Sequence, residues 1–156
     1  MRDVNIDTDV EMHIPSEYVS STSERLLLYT AIDDIQGEDE LKLFGENLRD
    51  RFGPVPEPVE ELFDGLRLRW IARELGFERV ILKDSKLRCY FVENPQSPFY
   101  DSKVFQQVFQ YLSQHGEQMQ ITLKKSVRSL IMARDGVRTL SGARKLLEGV
   151  RGKAGG

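Results

Sequence analysis

The chain has 156 residues, 40% apolar and 30% charged, with a net charge of −3; that is enough apolar mass for a packed core, which excludes wholesale disorder and allows one domain or at most two small ones. No apolar run reaches the ~18 residues of a bilayer-spanning helix, and the N-terminal MRDVNIDTDV lacks the apolar stretch of a secretory signal. A single cysteine, Cys89, rules out an internal disulfide framework and suits a reducing cytoplasm.

In chain order, Val4, Ile6, Thr8, Val10, Met12 and Ile14 alternate with Asn5, Asp7, Asp9, Glu11 and His13. This is the period of a half-buried strand, which Pro15 ends. Ser21 and Glu24 form an S-x-x-E capping box, and Leu28, Ala31, Ile32 and Ile35 follow at helical spacing. Gly37 is the expected stop of that helix. EDELKLFGENLRDRF predicts a second helix with Leu41, Phe44 and Leu48 inward and Phe52 closing the stripe. In DRFGPVPEPVEELF, Gly53 suits a left-handed helix end and Pro54 prevents continuation. Pro56 or Pro58 then fits the first turn of a third helix, whose positive end Glu57, Glu60 and Glu61 favour. The segment therefore reads as stop, corner and start; its P-x-P-x-P spacing differs from the P-x-x-P of a polyproline ligand.

The third helix runs from about Pro58 to Leu75 with Val59, Leu62, Phe63, Leu66, Trp70 and Ile71 on its apolar face, and Gly76 stops it. RVILKD and KLRCYFVEN predict a hairpin turning at Lys83–Lys86. A loop over NPQSP precedes a helix capped by Asp101 or Ser102 and closed by Gly116. MQITLK and VRSLIMARD read as strands, and TLSGARKLLEGV as a last helix. The order predicts an α+β single domain with a mostly antiparallel sheet and about five helices over residues 1–150, followed by a frayed polar tail at 151–156.

Chemistry-bearing motifs are sparse. The sequence has neither a G-x-x-x-x-G-K-[ST] loop nor a G-x-G-x-x-G after a strand. Asp7, Asp9, Glu11 and His13 share one strand face, but alternate strand residues stand roughly 7 Å apart, so a solvated face is the better reading than a metal site. Cys89 falls with Leu87 and Phe91 on the core side of its strand. Charge is uneven: 17 acidic and 5 basic residues up to Leu66, then 8 and 17 from Arg67 onward. That split marks an acidic and a basic face, or two halves that attract each other within one domain. Arg67, Arg69, Arg73 and Arg79, with Lys124, Lys125, Arg128, Arg134 and Arg138 and the aromatics Tyr90 and Phe91, match a single-strand nucleic-acid footprint. The same arginines could instead cover apolar surface with their stems and pair with the acidic half, and a pI near 5.5 argues against a dedicated nucleic-acid domain.

Taken together, Ile14-Pro-x-x-Tyr18, Arg25, Tyr29, Asp50-Arg51-Phe52-Gly53-x-x-Pro56 and the Leu75-Gly76 before a strand resemble the C-terminal domain of the bacterial transcription-repair coupling factor, over about Val4 to Val150. The resemblance implies a non-catalytic regulatory domain of a large ATP-driven DNA translocase that removes stalled RNA polymerase and recruits UvrA. It implies no cofactor in this fragment, since ATP and magnesium belong to the parent's motor. It also implies packing against, and masking of, the UvrA-binding module of the same parent chain. Partners reached through the parent are UvrA, RNA polymerase and DNA, in the cytoplasm, with no membrane. Carried over residue by residue, Asp50 and Arg51 match the family contact; the family's acidic residue one turn earlier falls at or beside Asn47, with Glu46 adjacent, so either Asn47 or Glu46 takes its place. The competing reading is an accessory nucleic-acid-binding module. Asp50 itself stands in the last turn of its helix, where the dipole disfavours an anion by ~0.3–1 kcal/mol. Either a functional contact or neutralisation by Arg49, Arg51 or another helix accounts for it.

Overall fold

The computed structural model describes residues 3–155. Within them the chain divides into two compact units: one is Glu11–Asp64, the other comprises the segments up to Val10 and from Gly65 onward. The expected α+β class holds, with five helices and a five-stranded, mostly antiparallel sheet.

The first unit is helical. Ser21 opens α1 (Thr22–Asp33) by accepting the Glu24 N–H at 3.2 Å, as the capping box requires. Leu28, Ile32 and Ile35 are buried, whereas Ala31, expected inward, is exposed; of the four it has the least apolar area to lose. Gly37 does not stop α1. The Asp34 N–H already closes onto the carbonyls of Ala31 and Ile32, and Gly37 is instead the extended residue heading α2 (Glu38–Phe52), where its carbonyl accepts from Leu41. Leu41 and Leu48 are the buried anchors of α2, and Phe44 is half-buried edge-on to Phe63, 6.0 Å between centroids. After the proline corner, the Pro56 carbonyl accepts from Val59 and Glu60, so Pro58 sits in the first turn of α3 (Glu57–Leu75).

The division between units falls within α3, and its buried positions change along its length. Val59 and Phe63 are buried in the first half; Leu68, Ala72 and Leu75 are fully or almost fully buried in the second. The single stripe expected from the sequence omitted Leu68 and Ala72, and its Leu62 and Trp70 are only half-buried. A helix buried on more than one side loses the 3.6-residue contrast that stripe-finding relies on.

In the second unit the strand order is β1-β2-β3-β5-β4: β1 is Asn5–Thr8, β2 Phe77–Lys83, β3 Lys86–Phe91, β4 Thr122–Lys125 and β5 Leu130–Asp135. Only the β1–β2 pair is parallel. The first strand is shorter than its alternation predicts. Thr8 Oγ1 donates to the Leu82 carbonyl at 2.7 Å and accepts from the Val10 N–H at 3.1 Å, which turns the backbone off the ladder. The hairpin turns at Asp84 (φ 53°) and Ser85 (φ 57°) between paired Lys83 and Lys86, the two-residue primed turn that matches strand twist.

One face of the sheet forms the core: Val80, Cys89 and Met132 are paired neighbours, with Leu82 and Leu87 in the next row, all buried. Burial raises the Cys89 thiol far above its ordinary pKa, as expected of a core residue. Besides the second half of α3, the unit holds α4 (Lys103–His115) and α5 (Leu140–Ala154). Of the two candidate caps for α4, Ser102 is the one used, accepting from the Phe105 N–H at 3.2 Å. Gly116 keeps right-handed helical angles and leads into a 3-10 turn; the left-handed residue that ends it is Gln120. The C-terminal residues expected to fray continue α5 as far as Ala154.

Gly76 couples the end of α3 to an aromatic cluster. It has φ +91°, and a Cβ built there would lie 2.0 Å from the Phe99 ring. Phe99 packs with Phe91, Tyr100 and Phe105, and Phe91 in turn meets Phe77 at 4.5 Å. Gly76→Ala should therefore destabilise by about 2–5 kcal/mol, combining backbone strain with overpacking. Urea denaturation monitored by circular dichroism checks this, and a loss under about 1 kcal/mol would contradict the ring placement.

Candidate docking surface

The corner after α2 is built from backbone geometry first. Gly53 has φ +94° and ψ −170°. This is not the left-handed helical conformation expected but the extended positive-φ region that essentially only glycine enters. Its N–H still closes α2 on the Arg49 carbonyl at 2.9 Å. Its own carbonyl accepts the Tyr18 hydroxyl at 2.8 Å, with the Leu48 carbonyl further off at 3.3 Å. The Tyr18 ring packs against Phe52 at 5.7 Å between centroids.

The segment before α1 is tied by the same kind of bond. The Ile14 N–H donates to the Tyr29 hydroxyl at 2.7 Å, and Arg25 donates to the carbonyls of Val19 (2.6 Å) and Ser20 (3.2 Å). Thus Ile14, Tyr18, Arg25, Tyr29 and Gly53, distant in sequence, act as one scaffold that holds irregular backbone without repeating secondary structure.

On this scaffold α2 presents Leu43, Glu46, Asn47 and Asp50 at the spacing of one helix face, and all four are exposed. Leu43 is 59% exposed, a large apolar residue at the head of a polar stripe. Asp50 makes no ion pair among the described residues, so neutralisation by Arg49 or Arg51 is not what holds it there. Arg51 is engaged differently: its guanidinium binds the Glu24 carboxylate and lies 4.7 Å over the Phe52 ring. The four residues singled out from sequence therefore divide into two kinds. Glu46, Asn47 and Asp50 share one open face, whereas Arg51 ties the end of α2 to the first turn of α1.

Two participants escaped sequence reading. Glu24 was accounted for by its capping box, and its long-range pairing with Arg51 has no local signature. Leu43 left a trace, a leucine out of phase with the inward Leu41, Phe44 and Leu48. On α1, Leu26 and Leu27 are likewise exposed, at 62% and 67%; only Leu28 of that triplet is buried.

The other constellations disperse. Asp7 pairs with Lys83 at 3.0 Å, Asp9 accepts the Asp84 N–H at 2.9 Å, and Glu11 lies 3.6 Å from His13. Among the described residues no three His, Cys, Asp or Glu side chains form a group able to hold a metal ion. No helix among them is long and apolar enough to cross a membrane. Of the basic residues, Arg73 binds Asp3 at 2.8 Å and Arg134 donates to the Met119 carbonyl at 2.9 Å. Phe91 is fully buried, which removes it as a stacking surface.

A model of the TRCF domain matches residues 8–102. Similar proteins include the transcription-repair-coupling factor of Mycobacterium tuberculosis, 34% identical over 79 residues covering 51% of this chain and 6% of that protein. That of Escherichia coli K12 is 35% identical over 77 residues, covering 47% of this chain and 7% of that protein. The chain thus spans under a tenth of the length of the curated relatives it matches. Among solved structures, the crystal structure of a C-terminal domain of transcription-repair coupling factor superposes with a TM-score of 0.73 at 18% identity, covering 98% of each chain; the likeness is one of fold.

Two outcomes follow from the corner. Gly53→Ala should cost about 1–3 kcal/mol although open space surrounds the position, measured as a shift of the urea midpoint at unchanged slope. Burial, opposed by Arg49 and reinforced by Glu60, raises Tyr18 above its ordinary value of 10.0. A raised folded-state pKa means stability is complete below the unfolded value and is lost as pH rises through the folded one. The melting temperature should therefore hold up to about pH 10 and fall as pH rises above it, and Tyr18→Phe should reduce that fall.

Proposed function

The chain belongs to the TRCF domain family, and from that premise we infer that it is a non-catalytic regulatory domain of a transcription-repair coupling factor. In this reading it docks on the UvrA-binding module of the same parent chain and masks it until the parent engages stalled RNA polymerase. ATP-driven translocation on DNA, and the recruitment of UvrA, belong to the parent. The observation that carries the reading is the exposed stripe Leu43, Glu46, Asn47 and Asp50 on a helix whose end is immobilised by the Gly53 corner.

Three physical features support it. Asp50 opposes its helix dipole by about 0.3–1 kcal/mol and, exposed and without an ion pair among the described residues, is open to a cation on a partner. An apolar side chain beside it supplies area to bury on docking. The rigid corner lowers the ordering cost of association. On the stripe itself Asn47 is neutral, so Glu46 and Asp50 carry its negative charge.

The test separates the stripe from the scaffold. Asp50→Ala combined with Leu43→Ala should weaken docking to the isolated UvrA-binding module at least tenfold, about 1.4 kcal/mol, and unmask UvrA binding in the full-length parent. Neither change should move the melting temperature by more than about 2 °C, since both side chains project into solvent. Arg51→Ala should act on stability as well, by about 0.2–1 kcal/mol, and Glu24→Ala should reproduce that part. Normal docking by a folded Asp50→Ala/Leu43→Ala variant would refute the site.

A further inference from the structure

The sheet buries one face and leaves the other open. Across the open face the register aligns Asn5, Arg79, Tyr90, Ile131 and Lys124 in one row, and Asp7, Ile81, Arg88, Ala133 and Thr122 in the next. Lys83, Lys86 and Asp135 lie beyond them. Arg79 stacks its guanidinium 4.2 Å from the centroid of the Tyr90 ring. Beside this pair a concavity of about 500 Å³ is lined by Arg79, Tyr90 and Arg128 together with the carboxylate residues Asp3, Glu78 and Glu93.

The charge on this face is unbalanced. Arg79, Lys83, Lys86, Arg88 and Lys124 stand against Asp7 and Asp135. Lys83 is neutralised by Asp7 at 3.0 Å and Arg88 by Asp135 at 3.1 Å. Arg79, Lys86 and Lys124 make no ion pair among the described residues. The three carboxylates that line the concavity are engaged: Asp3 with Arg73, Glu93 with Arg128 at 3.6 Å, and Glu78 with the Glu93 N–H at 3.2 Å.

We propose that this open sheet face binds single-stranded nucleic acid, a base stacking on the Arg79–Tyr90 pair and phosphates running along Arg79, Lys124 and Arg128. Single-stranded nucleic acid is held by bases stacked on aromatic rings and by cations along its backbone, and this open sheet face offers one stacking platform, Tyr90, with cations to either side along the row. Protein interfaces instead place apolar and aromatic side chains at the centre and keep charge there low; here Arg79 stands directly beside the one aromatic of the central row, and Lys124 lies beyond Ile131 on its other side. A duplex keeps its bases stacked inside and offers no face to Tyr90. The proposal concerns the sheet unit alone and is independent of the α2 stripe.

Fluorescence anisotropy of a labelled oligothymidylate, about 15 nucleotides long, against the whole chain tests it. Saturable binding is expected with a dissociation constant on the order of 10⁻⁵ M at low salt, within the usual non-specific range, and weaker binding to a duplex of equal length. Tyr90→Ala and Arg79→Gln should each weaken it at least fivefold, the loss of about one stacked base. Tyr90→Phe should retain it, and Lys124→Ala should reduce the salt slope by about one. Circular dichroism confirms the fold of each variant; should Tyr90→Ala not fold, Arg79→Gln and Lys124→Ala decide. Absence of saturation, tighter binding to duplex, indifference to Arg79→Gln, or displacement of the oligonucleotide by an acidic peptide at lower concentration than by unlabelled oligonucleotide would each overturn the proposal.

Discussion

A single hydroxyl organises the helical unit. Tyr18 reaches from an irregular segment to the carbonyl of Gly53, and that bond is available because Gly53 adopts angles that a residue with a Cβ resists. With the corner fixed, α2 ends where it does, the prolines lead into α3, and the ring of Tyr18 has Phe52 to pack against. Arg51 then completes the arrangement by bridging to Glu24, whose own backbone N–H is held by Ser21. Local capping, the chain reversal and the exposed helix face are thus successive consequences of one tether. A part-buried hydroxyl bond of this kind contributes only about 1 kcal/mol net, so its importance lies in the geometry it selects.

Much of this was legible in sequence because the relevant physics is local. Ser21 and Glu24 are three residues apart, Asp84 and Ser85 lie between two strand-like runs, and Pro58 can occupy a first helical turn without losing a bond. What escaped was non-local or two-sided. The alternation read from Val4 to Ile14 runs past the last ladder residue because side-chain exposure keeps alternating as far as Met12, while the strand pairing ends at Thr8, with one further bond from the Asp9 N–H to the Leu82 carbonyl. Leu68 and Ala72 were missed because α3 is buried on more than one side. The Glu24–Arg51 pair joins residues 27 apart, a distance at which no periodicity operates. The stripe on α2 was half visible: Glu46, Asn47 and Asp50 came from a family resemblance, and Leu43 needed the fold to show that it points outward.

The two units distribute polarity differently. In the helical unit acidic side chains outnumber basic ones and the exposed face of α2 is anionic with an apolar head. In the sheet unit the unpaired charges of the open face are cationic. The overall charge of −3 conceals both, because summing over the chain cancels surfaces that a partner would meet separately.

Cys89 gives the sheet unit an internal clock. The thiol lies between Val80 and Met132 in the ladder, with no exposed surface and with burial holding it in its protonated form. A thiol reagent attacks the thiolate, so in the closed sheet the reaction has neither access nor nucleophile. Labelling must wait for the central strands to separate, and its rate under excess reagent counts those separations one by one. The chain thus carries a native trap for measuring how often its sheet opens.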